Sequence, residues 1–63
     1  MRFAPKPKIL LVEDDAAQAL VYQEYLRPLE IESEHARDGA GAMQMAVEFL
    51  PDLVLLDLHL PDM

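Results

Sequence analysis

The sequence has no cysteine, few cations and no long apolar run, and each shortage removes a class of protein. Without cysteine, neither a disulfide framework nor a thiolate metal site can reinforce the core. A chain of 63 residues is one small domain at most, because a chain near this size buries only about 60% of the surface it exposes when unfolded. The lack of thiols also points to a reducing, intracellular setting, here the cytoplasm. Five Lys and Arg face twelve Asp and Glu, a formal charge of -7. That is the wrong sign for a surface that attracts nucleic acid or an anionic membrane. The longest apolar runs, Ile9 to Val12 and Leu53 to Leu56, fall far short of the roughly 20 residues that span a bilayer. Arg2, Lys6 and Lys8 near the amino end are interrupted by Pro5 and Pro7. No stretch of signal-peptide length follows them, so residues 1–7 read as a short extended lead-in.

What the sequence does contain is an alternation of two textures. Lys8-Ile9-Leu10-Leu11-Val12 is apolar on both faces and rich in branched residues, the pattern of a central parallel strand covered above and below. Three acids follow at once, Glu13, Asp14 and Asp15. From Asp15 the chain becomes alanine-rich, and Leu20, Tyr22, Tyr25, Leu26 and Leu29 are candidates for the inward stripe of a helix that Asp14 or Asp15 caps and Pro28 ends. Glu30 to Ala36 is charged and only weakly alternating, which fits an edge strand. Asp38-Gly39 signals a turn, and Ala40 to Leu50 sets Ala42, Met43, Ala46, Val47 and Leu50 at helical spacing. Met43 and Met45 are two residues apart, so at most one of them reaches the core. Pro51-Asp52 launches Leu53 to Leu58, a second run too apolar for a solvent face, which predicts another buried strand ending near Asp57.

The order strand, helix, strand, helix, strand implies an α/β fold with a parallel sheet. The two apolar strands should be neighbours and the charged one should lie outside them, a spatial order of 2-1-3. Right-handed crossovers then put the two helices on opposite faces. Ligands of such sheets bind beyond the carboxyl ends of the strands, where the direction of connection reverses. That point falls between strands 1 and 3, at Glu13 and Asp14 on one and Asp57 on the other. Three carboxylates at one rim repel one another unless a hard cation neutralises them, and an all-oxygen set favours Mg²⁺ over zinc or copper. Mg²⁺ commonly completes its shell with phosphate oxygens, which suggests phosphoryl chemistry with an aspartate as nucleophile.

These residues resemble the amino-terminal half of a response-regulator receiver domain of two-component signalling. Three segments carry the resemblance: Ile9-Leu10-Leu11-Val12-Glu13-Asp14-Asp15, Ala36-Arg37-Asp38-Gly39-Ala40-Gly41-Ala42, and Pro51-Asp52-Leu53 through Pro61-Asp62-Met63. The resemblance implies the βαβαβ half of a flavodoxin-like (CheY-like) doubly wound sheet over residues 8–63. It makes Asp57 the phosphoacceptor, Asp14 a direct Mg²⁺ ligand, Glu13 a ligand through water and the backbone carbonyl of His59 a further ligand. It also implies a partner, a sensor histidine kinase or a histidine phosphotransfer protein. The stretch from Tyr25 to Leu29 and the Leu60-Pro61-Asp62-Met63 ending look like receivers of sigma-54-dependent regulators of the NtrC type. A receiver continues for about as many residues again, with two more strands bearing the hydroxyl residue and the lysine that read the phosphoryl group. Neither can be assigned to a residue here, so the resemblance implies impaired transfer, and the output domain of such regulators is expected to be absent.

Blander readings stand beside these. Asp57 alone also reads as an acid capping a turn, and the acidic triplet as a complement to a helix dipole. His35 and His59 lack metal-ligand spacing and are expected to be solvated or locally bonded. An aspartyl-phosphate phosphohydrolase resembles a pattern with a second acid two residues after the nucleophile, where this chain has His59. A dinucleotide site needs a glycine-rich first turn, where this chain has Glu13-Asp14-Asp15-Ala16. A fourth reading is a structural half-domain that self-associates: strand 3 would offer an apolar, unpaired edge to a second copy, giving a homodimer.

Overall fold

The computed structural model describes residues 6–56. Asp57, His59, Pro61 and most of the 1–7 lead-in lie outside those residues. The elements run β1 (Lys8–Val12), α1 (Ala16–Leu26), β2 (Glu32–Ala36), α2 (Gly39–Phe49) and β3 (Leu53–Leu56). The sheet is parallel throughout in the order β2-β1-β3, as the contrast between apolar and charged strands predicts. In register, Leu11 lies opposite His35 and Val12 opposite Ala36 on one side, while Val12 lies opposite Leu56 on the other.

Burial concentrates on β1. Leu10 and Val12 join Ala36 in one cluster, against which Ala42 and Met45 of α2 pack. Side chains alternate along a strand, so Leu11 points the opposite way, yet it too is buried. Both faces of the central strand are therefore buried; α2 packs over β1 and β2, and α1 packs against β2. The amino end of β1 is tied to the start of β3 twice over: the Lys8 N–H donates to the Asp52 carboxylate at 2.8 Å, and the Asp52 N–H donates to the Lys8 carbonyl at 2.7 Å. The Lys8 ammonium adds a contact 5.4 Å from the centre of the Phe49 ring.

The helix stripes differ from the sequence expectation. In α1, Leu20, Tyr22, Tyr25 and the following Leu29 are exposed, and the residues turned inward are Ala19, Gln23 and Leu26. These three share one face at i, i+4 and i+7. Apolar residues surround α1 almost entirely, so periodicity could not select the face, and Ala19 is the residue of α1 that is buried. Pro28, having no N–H to donate and a ring that crowds the preceding turn, follows the cap at Arg27. In α2 the inward positions are Ala42, Met45, Ala46 and Phe49, whereas Met43, Val47 and Leu50 are exposed. The rule that only one of Met43 and Met45 reaches the core holds, and Met45 is that one. Leu50 ends α2 in the left-handed region at φ 51° and ψ 62°, a conformation that favours glycine.

The expectation that β3 is buried is corrected as well. Leu53, Val54 and Leu56 are all exposed, and only Leu55 is half-buried. Among the described residues β3 has one strand neighbour, and α2 lies over β1 and β2 instead. An apolar run records the burial of which its side chains are capable, and says nothing of whether a neighbour is at hand.

Candidate functional site

The carboxyl end of β1 is held by several hydrogen bonds to neighbouring segments. Glu13 continues straight from the strand, its N–H donating to the Ala36 carbonyl of β2 at 2.9 Å. It is a carboxylate at 4% exposure, a placement that costs free energy unless the oxygens find donors. Glu13 Oε1 accepts from the Asp15 N–H at 3.2 Å. Asp15 then turns its own carboxylate to the start of α1, accepting from Ala17 N–H at 2.9 Å and Gln18 N–H at 3.4 Å. Those amides have no partner within the helix, so an acceptor here satisfies them and complements the positive end of the helix dipole. Of the two cap candidates, Asp15 is the cap, and Asp14 is left exposed between two anchored neighbours.

β2 supplies a contact that the sequence did not signal. His35 Nε2 lies 2.7 Å from the Glu13 carbonyl oxygen. A carbonyl only accepts, so Nε2 carries the proton and donates. The sequence allowed His35 a local bond but not this one, because the partner is 22 residues away in the chain. Only the register of β1 on β2 brings them together. Asp38, at the same rim, caps α2 by accepting from the Gly41 N–H at 2.7 Å. A β-carbon on Gly41 would lie 3.1 Å from that same carboxylate oxygen, so glycine keeps the cap unstrained.

Glu13 and Asp14 therefore occupy the predicted rim at the predicted strand end, while Asp57 and the carbonyl of His59 fall outside the described residues. Among the described residues no group of three or more His, Cys, Asp or Glu converges as a metal cluster. Of the predicted ligands, Glu13 and Asp14 stand at the rim, a buried and an exposed carboxylate, and their oxygens suit a hard cation such as Mg²⁺ over a soft one. No helix among the described residues is long and apolar enough to cross a membrane.

Comparison with known proteins places this rim in context. The response regulator receiver domain family matches residues 9–63. The luminescence regulatory protein LuxO of Vibrio campbellii is 45% identical over 53 residues, which are 84% of this chain and 12% of that protein. The DNA-binding response regulator MtrA of Mycolicibacterium paratuberculosis is 41% identical over 58 residues, 92% of this chain and 26% of the relative. The chain thus spans a small fraction of the curated relatives it matches. The crystal structure of the signal receiver domain of a protein described as a LuxO repressor, from Vibrio parahaemolyticus, superposes with a TM-score of 0.87 at 38% identity, covering 92% of this chain and 45% of that one. The βαβαβ order, the 2-1-3 sheet and the likeness to LuxO, a sigma-54-dependent regulator of the NtrC type, agree with the sequence reading. Receiver domains typically use Mg²⁺ and are generally non-catalytic apart from autophosphorylation. With a family match that runs from the second residue of β1 to Met63, on a sheet whose acidic rim stands at the end of β1, this chain belongs to the response regulator receiver domain family.

Proposed function

We propose that the chain is a phosphoacceptor segment of a two-component response regulator of the LuxO-like, NtrC type, and that residues 8–63 act as the amino-terminal half of its receiver. One observation carries the reading. Val12 and Leu56 are register partners, and in the sequence each is followed at once by an acid, Glu13 and Asp57. In this reading Asp57 accepts the phosphoryl group. A carboxylate oxygen attacks phosphorus, the bond from phosphorus to the donor histidine nitrogen breaks, and the electron pair stays on the imidazole. Glu13, Asp14, Asp57 and the His59 carbonyl hold Mg²⁺. When bound, Mg²⁺ supplies the positive charge that offsets the phosphoryl oxygens. The partner is a sensor histidine kinase or a histidine phosphotransfer protein in the cytoplasm. With a formal charge of -7, the segment makes no direct contact with DNA or an anionic membrane. A relative with the name of a sensor, LuxQ of Vibrio harveyi, "autoinducer 2 sensor kinase/phosphatase", is 35% identical over 54 residues, consistent with a two-component context. The test is incubation with a small acyl phosphate, with and without Mg²⁺, followed by intact mass. Gain of one phosphoryl group that needs Mg²⁺ and is lost in Asp57→Asn supports the proposal; no gain in the unaltered chain sinks it.

The exposure of β3 favours a second reading, self-association without phosphotransfer. Leu53, Val54 and Leu56 are exposed, the last two lining an open groove with Val12, Ala42 and Met43, and apolar strand edges of this kind recruit a second chain. A homodimer pairing two β3 strands antiparallel about a two-fold axis would cover them. Light scattering over a dilution series decides: Val54→Lys and Leu56→Lys shift a dimer to monomer, whereas a folded monomer at high protein concentration removes this reading.

A further inference from the structure

We infer that His35 is a positioning residue of the acidic rim: its Nε2–H holds the peptide joining Glu13 to Asp14, and so fixes the pose in which both carboxylates meet a divalent cation. The inference rests on the proposal above that Glu13 and Asp14 hold Mg²⁺. Its basis is the way the backbone is tied. A peptide unit is rigid and planar, so chain direction changes only at the two soft dihedrals of each α-carbon. The unit before the α-carbon of Glu13 is anchored by its N–H to Ala36 O at 2.9 Å. The unit after it is anchored by its carbonyl to His35 Nε2 at 2.7 Å. Both dihedrals of Glu13 thus lie between two points held by the same strand, β2. The next unit, between Asp14 and Asp15, is anchored by the Asp15 N–H on Glu13 Oε1 at 3.2 Å. Exposed Asp14 owes its placement to these two flanking anchors.

The three ties differ in what cation binding does to them. The bond to Ala36 O is a continuation of the sheet and persists. The bond from Asp15 shares the Glu13 carboxylate with any cation that Glu13 helps to hold. Of these three, the His35 bond is the one that ties the Glu13 to Asp14 unit, and it draws on neither carboxylate. It is also short for an N–H···O bond, and it reaches from a half-buried ring on a neighbouring strand. Groups that orient metal ligands from behind in this way commonly change metal affinity about 10-fold or more when lost.

The experiment is a Mg²⁺ titration of the full, ¹⁵N-labelled chain, followed at the amides of Glu13, Asp14 and Asp15, with the amides of Leu10 to Val12 reporting the fold. His35→Phe keeps a ring and removes the donor; affinity is expected to fall about 10-fold. His35→Gln restores an N–H donor on a side chain of similar reach and is expected to recover most of the loss. A second readout needs no variant and decides the matter if His35→Phe does not fold. The Nε2 nitrogen of His35 in the unaltered chain should shift in step with the Asp14 amide as Mg²⁺ saturates. Equal affinity in the unaltered and His35→Phe chains, or an Nε2 resonance indifferent to Mg²⁺, overturns the positioning role and leaves the cation site standing. No saturable shift at Glu13 and Asp14 in the unaltered chain overturns the cation reading, and the inference with it.

Discussion

The rim beyond β1 and the flank formed by β3 and the outer side of α2 are built from the same short chain on opposite terms. At the rim, polar groups are held at short range: Glu13 by Ala36 and Asp15, its carbonyl by His35, and the start of α1 by Asp15. On the flank, apolar groups stand without cover: Met43 at 75% exposure, Val47 at 76% and Leu53 at 52%. Buried polar groups demand partners, and each partner fixes a direction. Exposed apolar groups demand area, and area fixes no direction. The rim is therefore where the chain is geometrically specific, and the flank is where it is adhesive.

Mutations can break this contrast, beginning with the core that both regions share. Leu10 is 1% exposed at the centre of β1, and Leu10→Ala is expected to cost about 3 kcal/mol. That is most of what a core in a chain this small supplies. Val47→Ala, on the flank, should stay within about 0.5 kcal/mol. Chemical denaturation of the two variants side by side checks this, and equal losses would mean that the flank is covered in solution.

A smaller effect sharpens the rim. Asp15→Ala removes the acceptor of the Ala17 and Gln18 amides and should cost about 1 kcal/mol, as loss of a helix cap commonly does. Thermal unfolding measures it. A neutral result would show that water caps α1 equally well, and that the rim is less fixed than its hydrogen bonds imply. Smallest of all is a gain on the flank. Leu50→Gly relieves a left-handed residue at φ 51° whose side chain is exposed. Glycine's extra freedom in the unfolded chain offsets part of that relief, leaving a stabilisation of about 0.5 kcal/mol. A loss in urea titration would show that the Leu50 side chain is covered after all.

The same contrast explains which features were legible in the sequence. Strand order was legible in part because Lys8 to Val12 and Leu53 to Leu56 are apolar while Glu32 to Ala36 is not: two orders, 2-1-3 and 1-3-2, put the apolar pair side by side with the charged strand at an edge, and the sheet takes the first. The positions of Glu13 and Asp14 followed from adjacency to a strand end, and a cap at Asp14 or Asp15 from residue type, whereas Asp38, only a turn signal in the sequence, caps α2. Inward faces of the helices were not legible, since α1 is apolar nearly all round and its pattern alone does not single out Ala19, Gln23 and Leu26. His35 escaped notice for a related reason. Its bond to the Glu13 carbonyl depends on strand register, which a single sequence does not encode locally. β3 was misjudged because hydrophobicity states a capacity for burial, and the strand has only β1 beside it among the described residues.

The central claim is that the rim directs phosphoryl chemistry to one aspartate, and the most direct test is to locate the modification. After incubation with acyl phosphate and Mg²⁺, reduction of the aspartyl phosphate to its stable alcohol followed by fragment mass analysis identifies the modified residue. The account predicts a single site at Asp57, abolished when Mg²⁺ is chelated. Modification spread over Asp14, Asp15 and Asp52, or modification at Asp57 indifferent to Mg²⁺, would contradict it.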